Sequence, residues 1–136
     1  MHHNRLVLVD SSVCIAHLHG HHSGVSRALK KLLNDNRVAV NPIIRIEVLT
    51  GSRDPIQYGE LDVWLQSTVG LPVTAGVYQI AERLRYEMKK KGNIVPLVDV
   101  LIAATAIEYA IPLMHIDRHF DAIARHDRRL KMIKPE

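Results

Sequence analysis

Arg5-Leu-Val-Leu-Val-Asp10-Ser11-Ser12 is the stretch whose reading decides the fold. Four apolar residues, two of them β-branched, run without a polar interruption, the pattern of a strand buried on both faces. Asp10 and the serines then supply capping chemistry, so a short helix starts directly behind the strand. Outward from this unit the same alternation repeats. Val25, Leu29, Leu32 and Leu33 recur at helical spacing, and Arg37-Val-Ala-Val40 predicts a second strand. Asn41-Pro42 is an N-cap followed by proline at the first helical position, opening a helix through Ile43, Ile44, Ile46, Val48 and Leu49 that stops at Gly51. A helix over Pro55 to Gln66 follows, then a third strand, Gly70-Leu-Pro-Val73, placed at a sheet edge by Pro72. Thr74 caps a helix carrying Ile80, Leu84 and Met88, which Lys89–Lys91 and Gly92 close with cations at the negative end of its dipole. Pro96 opens a helix through Ile107 that is apolar nearly all round and therefore buried on several sides. Ile111–Ile116 and Leu130–Ile133 predict two more strands, separated by a helix through Phe120, Ile123 and Ala124. Strands alternating with helices indicate an α/β sandwich around a mostly parallel sheet of four to five short strands.

A chain of 136 residues with 47% hydrophobic content makes one domain, 1–136, with its own core. The single cysteine, Cys14, excludes an intrachain disulfide framework and every multi-cysteine zinc or iron–sulfur site. The longest apolar run is broken by Asp99 and Glu108, and the apolar stretch after Arg5 ends at Asp10, so neither a membrane span nor a signal-peptide layout is expected. The expectation is a soluble protein of a reducing cytoplasm. Eighteen Lys and Arg against fourteen Asp and Glu give a net charge of +4, which favours anionic partners such as nucleic acid. Aromatic residues make up only 4%, so a base-stacking platform is not advertised.

Most of the acids lie among polar residues and read as solvated surface charge. Asp10, Glu47, Asp99 and Asp117 do not: they stand in or directly after Leu-Val-Leu-Val-Asp10, Ile43-Ile-Arg-Ile-Glu47-Val-Leu, Pro96-Leu-Val-Asp99-Val-Leu-Ile and Leu-Met-His-Ile-Asp117. A carboxylate in apolar surroundings costs several kcal/mol unless it is paired or capped or shares a cation. Asp10 could be a helix cap, Glu47 could pair with Arg45, and Asp99 and Asp117 could cap helix ends. The shared cation is favoured by topology, because ligands of a parallel α/β sheet bind outside the carboxyl ends of the strands, where all four acids would converge. Their mutual repulsion would then be offset by Mg²⁺ or Mn²⁺, hard ions that take oxygen ligands.

The four motifs in this order resemble those of PIN-domain ribonucleases. Val9-Asp10-Ser11-Ser12-Val13 looks like the family's opening motif, and Glu47 in Ile46-Glu-Val-Leu-Thr-Gly51 matches its second acid. Pro96-Leu-Val-Asp99-Val-Leu-Ile-Ala-Ala-Thr-Ala106 is close to the third motif and is the most specific stretch; His115-Ile-Asp117-Arg-His119-Phe120 resembles the fourth. The fourth motif departs from the family, many of whose members carry threonine where His115 stands and an acid where His119 stands. Asp117 is chosen over Asp121 because it lies nearer the strand end. The single-domain form is similar to the toxin of a bacterial type II toxin–antitoxin pair of the VapC type.

The resemblance implies a three-layer PIN-like sandwich and Mg²⁺-dependent endonucleolytic cleavage of RNA, with Mn²⁺ as a possible substitute. It makes Asp10, Glu47, Asp99 and Asp117 the catalytic acids. Asp10 and Asp99 are the main metal ligands, with Asp117 close by, and Glu47 orients water or completes the outer coordination. Ser12 and His115 stand behind these acids, Ser12 supporting Asp10 or the phosphate through a hydrogen bond. The resemblance also implies a tRNA or rRNA target, a homodimer and a small antitoxin, whose groove is expected near the helices carrying Ile43, Ile44, Leu49 and Trp64.

Two other readings remain open on the residues alone. A receiver-type signalling domain also puts acids at strand ends, but it needs an adjacent acidic pair where Ser11-Ser12 follow Asp10, and a lysine after its last strand. A catalytically inactive RNA- or protein-binding module has no need of all four acids. His17, His19, His21 and His22 near Cys14 could suggest a transition-metal site, but a solvated helix–loop junction explains them more simply. Cys14 reads as a small buried hydrophobe. His115 and His119 fall on no common face beyond the strand, so supporting or RNA-facing roles are expected of them.

Overall fold

The computed structural model describes residues 5–20 and 23–135. The elements follow in the order β1 (Val7–Val9), α1 (Ser11–His19), α2 (Ser23–Asn34), β2 (Val38–Val40), α3 (Pro42–Thr50), α4 (Pro55–Gln66), β3 (Val69–Gly70), α5 (Ala75–Lys90), α6 (Leu97–Tyr109), β4 (Leu113–Met114), α7 (His119–His126) and β5 (Met132–Ile133). All five strands pair in parallel, in the order β3-β2-β1-β4-β5. The sheet is thus wholly rather than mostly parallel. The strands are short, and each neighbouring pair shares only two register positions. β3 is an edge strand, as expected, but it lies at Val69–Gly70, and Pro72 falls in the loop behind it, so the proline does not account for the edge position.

Right-handed crossovers explain the layering. The chain steps from β1 to β2 to β3 in one direction, then returns past β1 to β4 and β5. Reversing direction moves the connecting helices to the other face. Accordingly α1 packs on α2 and α3, and α3 on α4, while α5 packs on α6 and α6 on α7. Between the layers, β1 is fully buried, with Val7, Leu8 and Val9 all at 0% exposure. The apolar α6 buries Val100 and Ile102 through Ile107, which accounts for a helix without a polar face. The chain turns out of α6 at Ala110, whose φ of 54° caps the helix in the left-handed region.

The helices that carry two of the acids are joined through the core. Asn41 caps α3 by accepting from the Ile44 amide at 2.8 Å, and its Nδ2 donates to Thr105 Oγ1 of α6 at 2.9 Å. The Thr105 hydroxyl donates in turn to the Leu101 carbonyl at 2.8 Å. Asn41 and Thr105 are both buried, so this chain of bonds fixes α3 against α6 without water. On α3 and α4, Ile44 is wholly in the core, and Ile43, Leu49 and Trp64 are half-buried against it. The exposed apolar side chains of these helices are instead Ile46, Ile56, Tyr58 and Val63.

Replacing Asn41 removes a cap and leaves a buried hydroxyl short of one partner. Asn41→Ala is expected to lower stability by about 2 kcal/mol in denaturant unfolding, and an unchanged midpoint would refute the role given to this link.

Candidate active site

The order reversal between β1 and β4 makes their carboxyl ends a topological switch point, where the diverging connections open a crevice. Asp10 follows β1 directly, and its amide extends the ladder by donating to the Met114 carbonyl of β4 at 3.0 Å. The same residue caps α1: its Oδ2 accepts from the Ser12 amide at 3.0 Å and from the Ser12 hydroxyl. The Ser12 hydroxyl also accepts from the Ile116 amide at 3.3 Å, so one serine ties Asp10 to the loop after β4. Asp10 is therefore both the helix cap and a member of the crevice. Its neighbour Ser11 donates to Glu47 Oε1 on α3 at 2.7 Å, which brings the second acid to the rim of the same site.

Asp99 lies in the first turn of α6, whose Pro96 cap contributes no side-chain hydrogen bond. Asp117 lies in the turn between β4 and α7, where its Oδ1 accepts the His119 amide at 2.9 Å. That turn folds the His119 ring back over both carboxylates, with Nδ1 3.0 Å from Asp99 Oδ2 and 3.2 Å from Asp117 Oδ1. Ligand atoms of Asp99, Asp117 and His119 all lie within 4.8 Å of one another. His119 belongs to the site directly, a place that strand-based spacing does not reveal because residues 115–118 are no longer strand. The signal that would have found it is the aspartate two positions before it, which accepts its amide and forms the turn.

His115 is 1% exposed, packs on Phe120 with 5.0 Å between ring centroids, and accepts the Asp117 amide at Nδ1 (3.1 Å). The ring proton is thereby assigned to Nε2, which faces Met132 Sδ at 3.0 Å. Burial lowers the pKa of His115, which keeps the ring neutral while it holds the Asp117 backbone. Asp121 pairs with Lys134 at 3.4 Å and lies 3.8 Å from His115 Nε2.

The electrostatics separate a salt-bridged cluster from a cation site. Among the described residues no lysine or arginine pairs with Asp10, Glu47, Asp99 or Asp117; Arg45, the candidate partner of Glu47, pairs with Asp62 at 2.6 Å. Burial, opposed by the Ser12 bonds, raises the pKa of Asp10. Burial together with repulsion from Asp117 and Asp10 lifts Asp99 to about 6, against the helix dipole and the His119 bond. Carboxylates held close and unneutralised fit a divalent cation, which would relieve both the desolvation and the repulsion. Asp99 and Asp117 offer oxygens to one point with His119, while Asp10 and Glu47 stand around them.

His17 and Cys14 are accounted for locally. His17 Nδ1 lies 2.9 Å from Ser26 Oγ, and its pKa is lowered by burial and Lys30. His21 and His22 lie outside the described residues. Cys14 is fully buried, which pushes its thiol up to about 12 and leaves it a packing residue.

Asp99 gives a stability signature of the cation-free protein. Its carboxyl titrates near 3.8 when unfolded and near 6 in the fold, so between these values the folded chain holds a proton that the unfolded chain has lost. The stabilisation is complete below the lower value and is lost as pH rises through the upper one. In EDTA, Asp99→Asn is expected to raise the melting temperature near pH 7.5, with the gain shrinking toward about pH 4.5. A gain of equal size at both pH values would count against the repulsion.

Comparison with known proteins identifies the family. The PIN domain family model matches residues 7–126. Ribonuclease VapC19 of Mycobacterium tuberculosis is 30% identical over 116 residues, 83% of this chain and 90% of the relative. Ribonuclease VapC11 of the same organism is 27% identical over 130 residues, 88% and 92% of the two chains. In fold, the chain superposes with a TM-score of 0.80 on a chain of the VapBC2 complex of Rickettsia felis bound to a promoter DNA fragment, at 22% identity and covering 96% of this chain and 99% of that one. The chain belongs to the PIN-domain family, in its VapC-type branch.

Proposed function

We propose that this chain, folded as one domain over 1–136, is a Mg²⁺-dependent endoribonuclease and the toxin of a toxin–antitoxin pair. The observation that carries this reading is the set of acids at the switch point that no lysine or arginine among the described residues neutralises. Asp99 and Asp117, with Asp10 beside them, would hold the divalent ion, which would supply polarisation of the phosphodiester and activation of water. The residues do the rest. The Ser12 hydroxyl holds Asp10, and the His115 ring holds the Asp117 amide, so neither acid has to be ordered when RNA arrives. Glu47, steadied by Ser11, orients the attacking water at the rim. Attack by water rather than by a ribose hydroxyl leaves a 5′-phosphate.

The surroundings suit an anionic polymer. Beside Asp117 lies a hollow of about 210 Å³ lined by Arg118, Asp121 and Lys134. It continues into one of about 480 Å³ lined by Arg125, Arg128 and Lys134. Arg118, Arg125 and Arg128 have no carboxylate partner among the described residues, so they are available to phosphates. This supports RNA, with tRNA or rRNA as the target class, in the cytoplasm where such RNA is found.

Solved relatives are VapBC complexes, which supports a small antitoxin as the partner here. The exposed Ile46, Ile56, Tyr58 and Val63 on α3 and α4 are the apolar surface offered to it, and a homodimer is the assembly proposed. No helix of the described residues is long and apolar enough to cross a membrane.

RNA cleavage with Mg²⁺ is expected to fall at least 100-fold in Asp99→Asn and in Asp117→Asn, and to stop in EDTA. Undiminished cleavage in either variant would remove the mechanism. An Ile46→Glu/Val63→Glu double variant is expected to bind the cognate antitoxin at least tenfold more weakly in calorimetric titration; unchanged affinity would move the docking face elsewhere.

A further inference from the structure

We propose that His119 is a metal ligand, and that its nitrogen gives the Asp99–Asp117 site a preference for Mn²⁺ over Mg²⁺. The inference rests on the metal-dependent reading above and adds that this site holds Mn²⁺ more tightly than the Mg²⁺ with which cleavage is proposed.

The argument begins with the donor set. Asp99 Oδ2 and Asp117 Oδ1 lie 3.0 and 3.2 Å from the same ring nitrogen, Nδ1 of His119. All three residues present one ligand atom within 4.8 Å of the other two, the span over which a single ion can be shared. The position of the ring follows from its backbone as well as its side chain. The His119 amide donates to Asp117 Oδ1, so ligand and ligand-bearing turn are one unit at the start of α7. Half of the His119 side chain is exposed, so the ring lines the open side of the crevice. It reaches the carboxylates from solvent and closes the point between them.

The chemistry of that set distinguishes ions. Mg²⁺ requires near-octahedral oxygen coordination, retains its waters reluctantly shed, and gains little from an imidazole. Imidazole nitrogen suits divalent transition ions, and Mn²⁺ accepts both carboxylate oxygen and imidazole. A carboxylate at position 119 would make the site all-oxygen and level the two ions. With histidine there, the site carries one negative charge fewer, which weakens both ions, and one softer donor, which disfavours Mg²⁺ relative to Mn²⁺.

The test is calorimetric titration of MnCl₂ and of MgCl₂ into the wild-type chain, His119→Asp and His119→Ala, with melting temperatures in EDTA confirming that each variant folds. Pulsed electron paramagnetic resonance of the Mn²⁺-loaded proteins reads directly bound nitrogen. The expected result is that His119→Ala weakens Mn²⁺ binding roughly tenfold or more, and that His119→Asp shrinks the Mn²⁺-to-Mg²⁺ affinity ratio by a similar factor. A nitrogen coupling present in the wild type should vanish in both variants. If the ratio is the same in wild type and His119→Asp, or the nitrogen coupling is absent while Mn²⁺ is bound, His119 is an ion-pair partner only. That overturns this inference and leaves the Asp99–Asp117 metal site standing. Binding of neither ion to the wild type overturns both.

Discussion

Repulsion among Asp10, Asp99 and Asp117 is the constraint on which the rest of the structure depends. These groups come from the end of one strand, the first turn of a helix and the turn after a second strand, and no lysine or arginine among the described residues offsets them. Burial raises Asp10, and burial plus its neighbours lifts Asp99 to about 6. A fold would relax such an arrangement by turning the side chains outward unless they were held. Here they are held at every point: Asp10 by the Ser12 amide and hydroxyl, Asp117 by His115 and by the His119 amide, and α6 by the Asn41–Thr105 bond. Stability is given up at the crevice so that a cation finds its ligands already placed.

That restraint explains several residues that look ordinary in isolation. Ser12 is a helix-cap residue by composition, yet its hydroxyl spans from Asp10 to the Ile116 amide and so joins the two strand ends that flank the switch point. Ser11 serves Glu47 rather than the helix. His115 looks like a ligand by residue type, but its burial and its hydrogen bond to the Asp117 amide make it a support for the turn. His119, four residues on, is the histidine that faces the acids. The two are told apart by exposure and by what each ring nitrogen meets, neither of which follows from their spacing.

The sheet shows how far local pattern carries. β1, β2 and the helices at Asn41, Pro55, Thr74 and Pro96 were legible because each has a cap, a proline or a β-branched run with a direct backbone consequence. The strand limits were not. Gly70–Val73 and Leu130–Ile133 are apolar, but pairing stops where the neighbouring strand ends, leaving β3 at Val69–Gly70 and β5 at Met132–Ile133. On α3 and α4 the sequence pointed to the helices but not to their exposed residues: Ile43, Ile44, Leu49 and Trp64 are buried or half-buried in the core cluster, and the exposed set is Ile46, Ile56, Tyr58 and Val63.

By itself, then, the sequence determined the alternation of strand and helix, the wrong-sided placement of Asp10, Glu47, Asp99 and Asp117, and through these motifs the family. Each depends on nearest-neighbour chemistry: an acid ending an apolar run is visible without knowing what lies across from it. Tertiary structure decided which of those acids share a point, that none has a lysine or arginine partner among the described residues, and that His119 rather than His115 stands among them. Those are facts about groups up to about a hundred residues apart brought within hydrogen-bonding distance, as Ser12 and Ile116 are. Such distances are set by the crossing order of the strands and by a two-residue turn after Asp117, and no local periodicity encodes them.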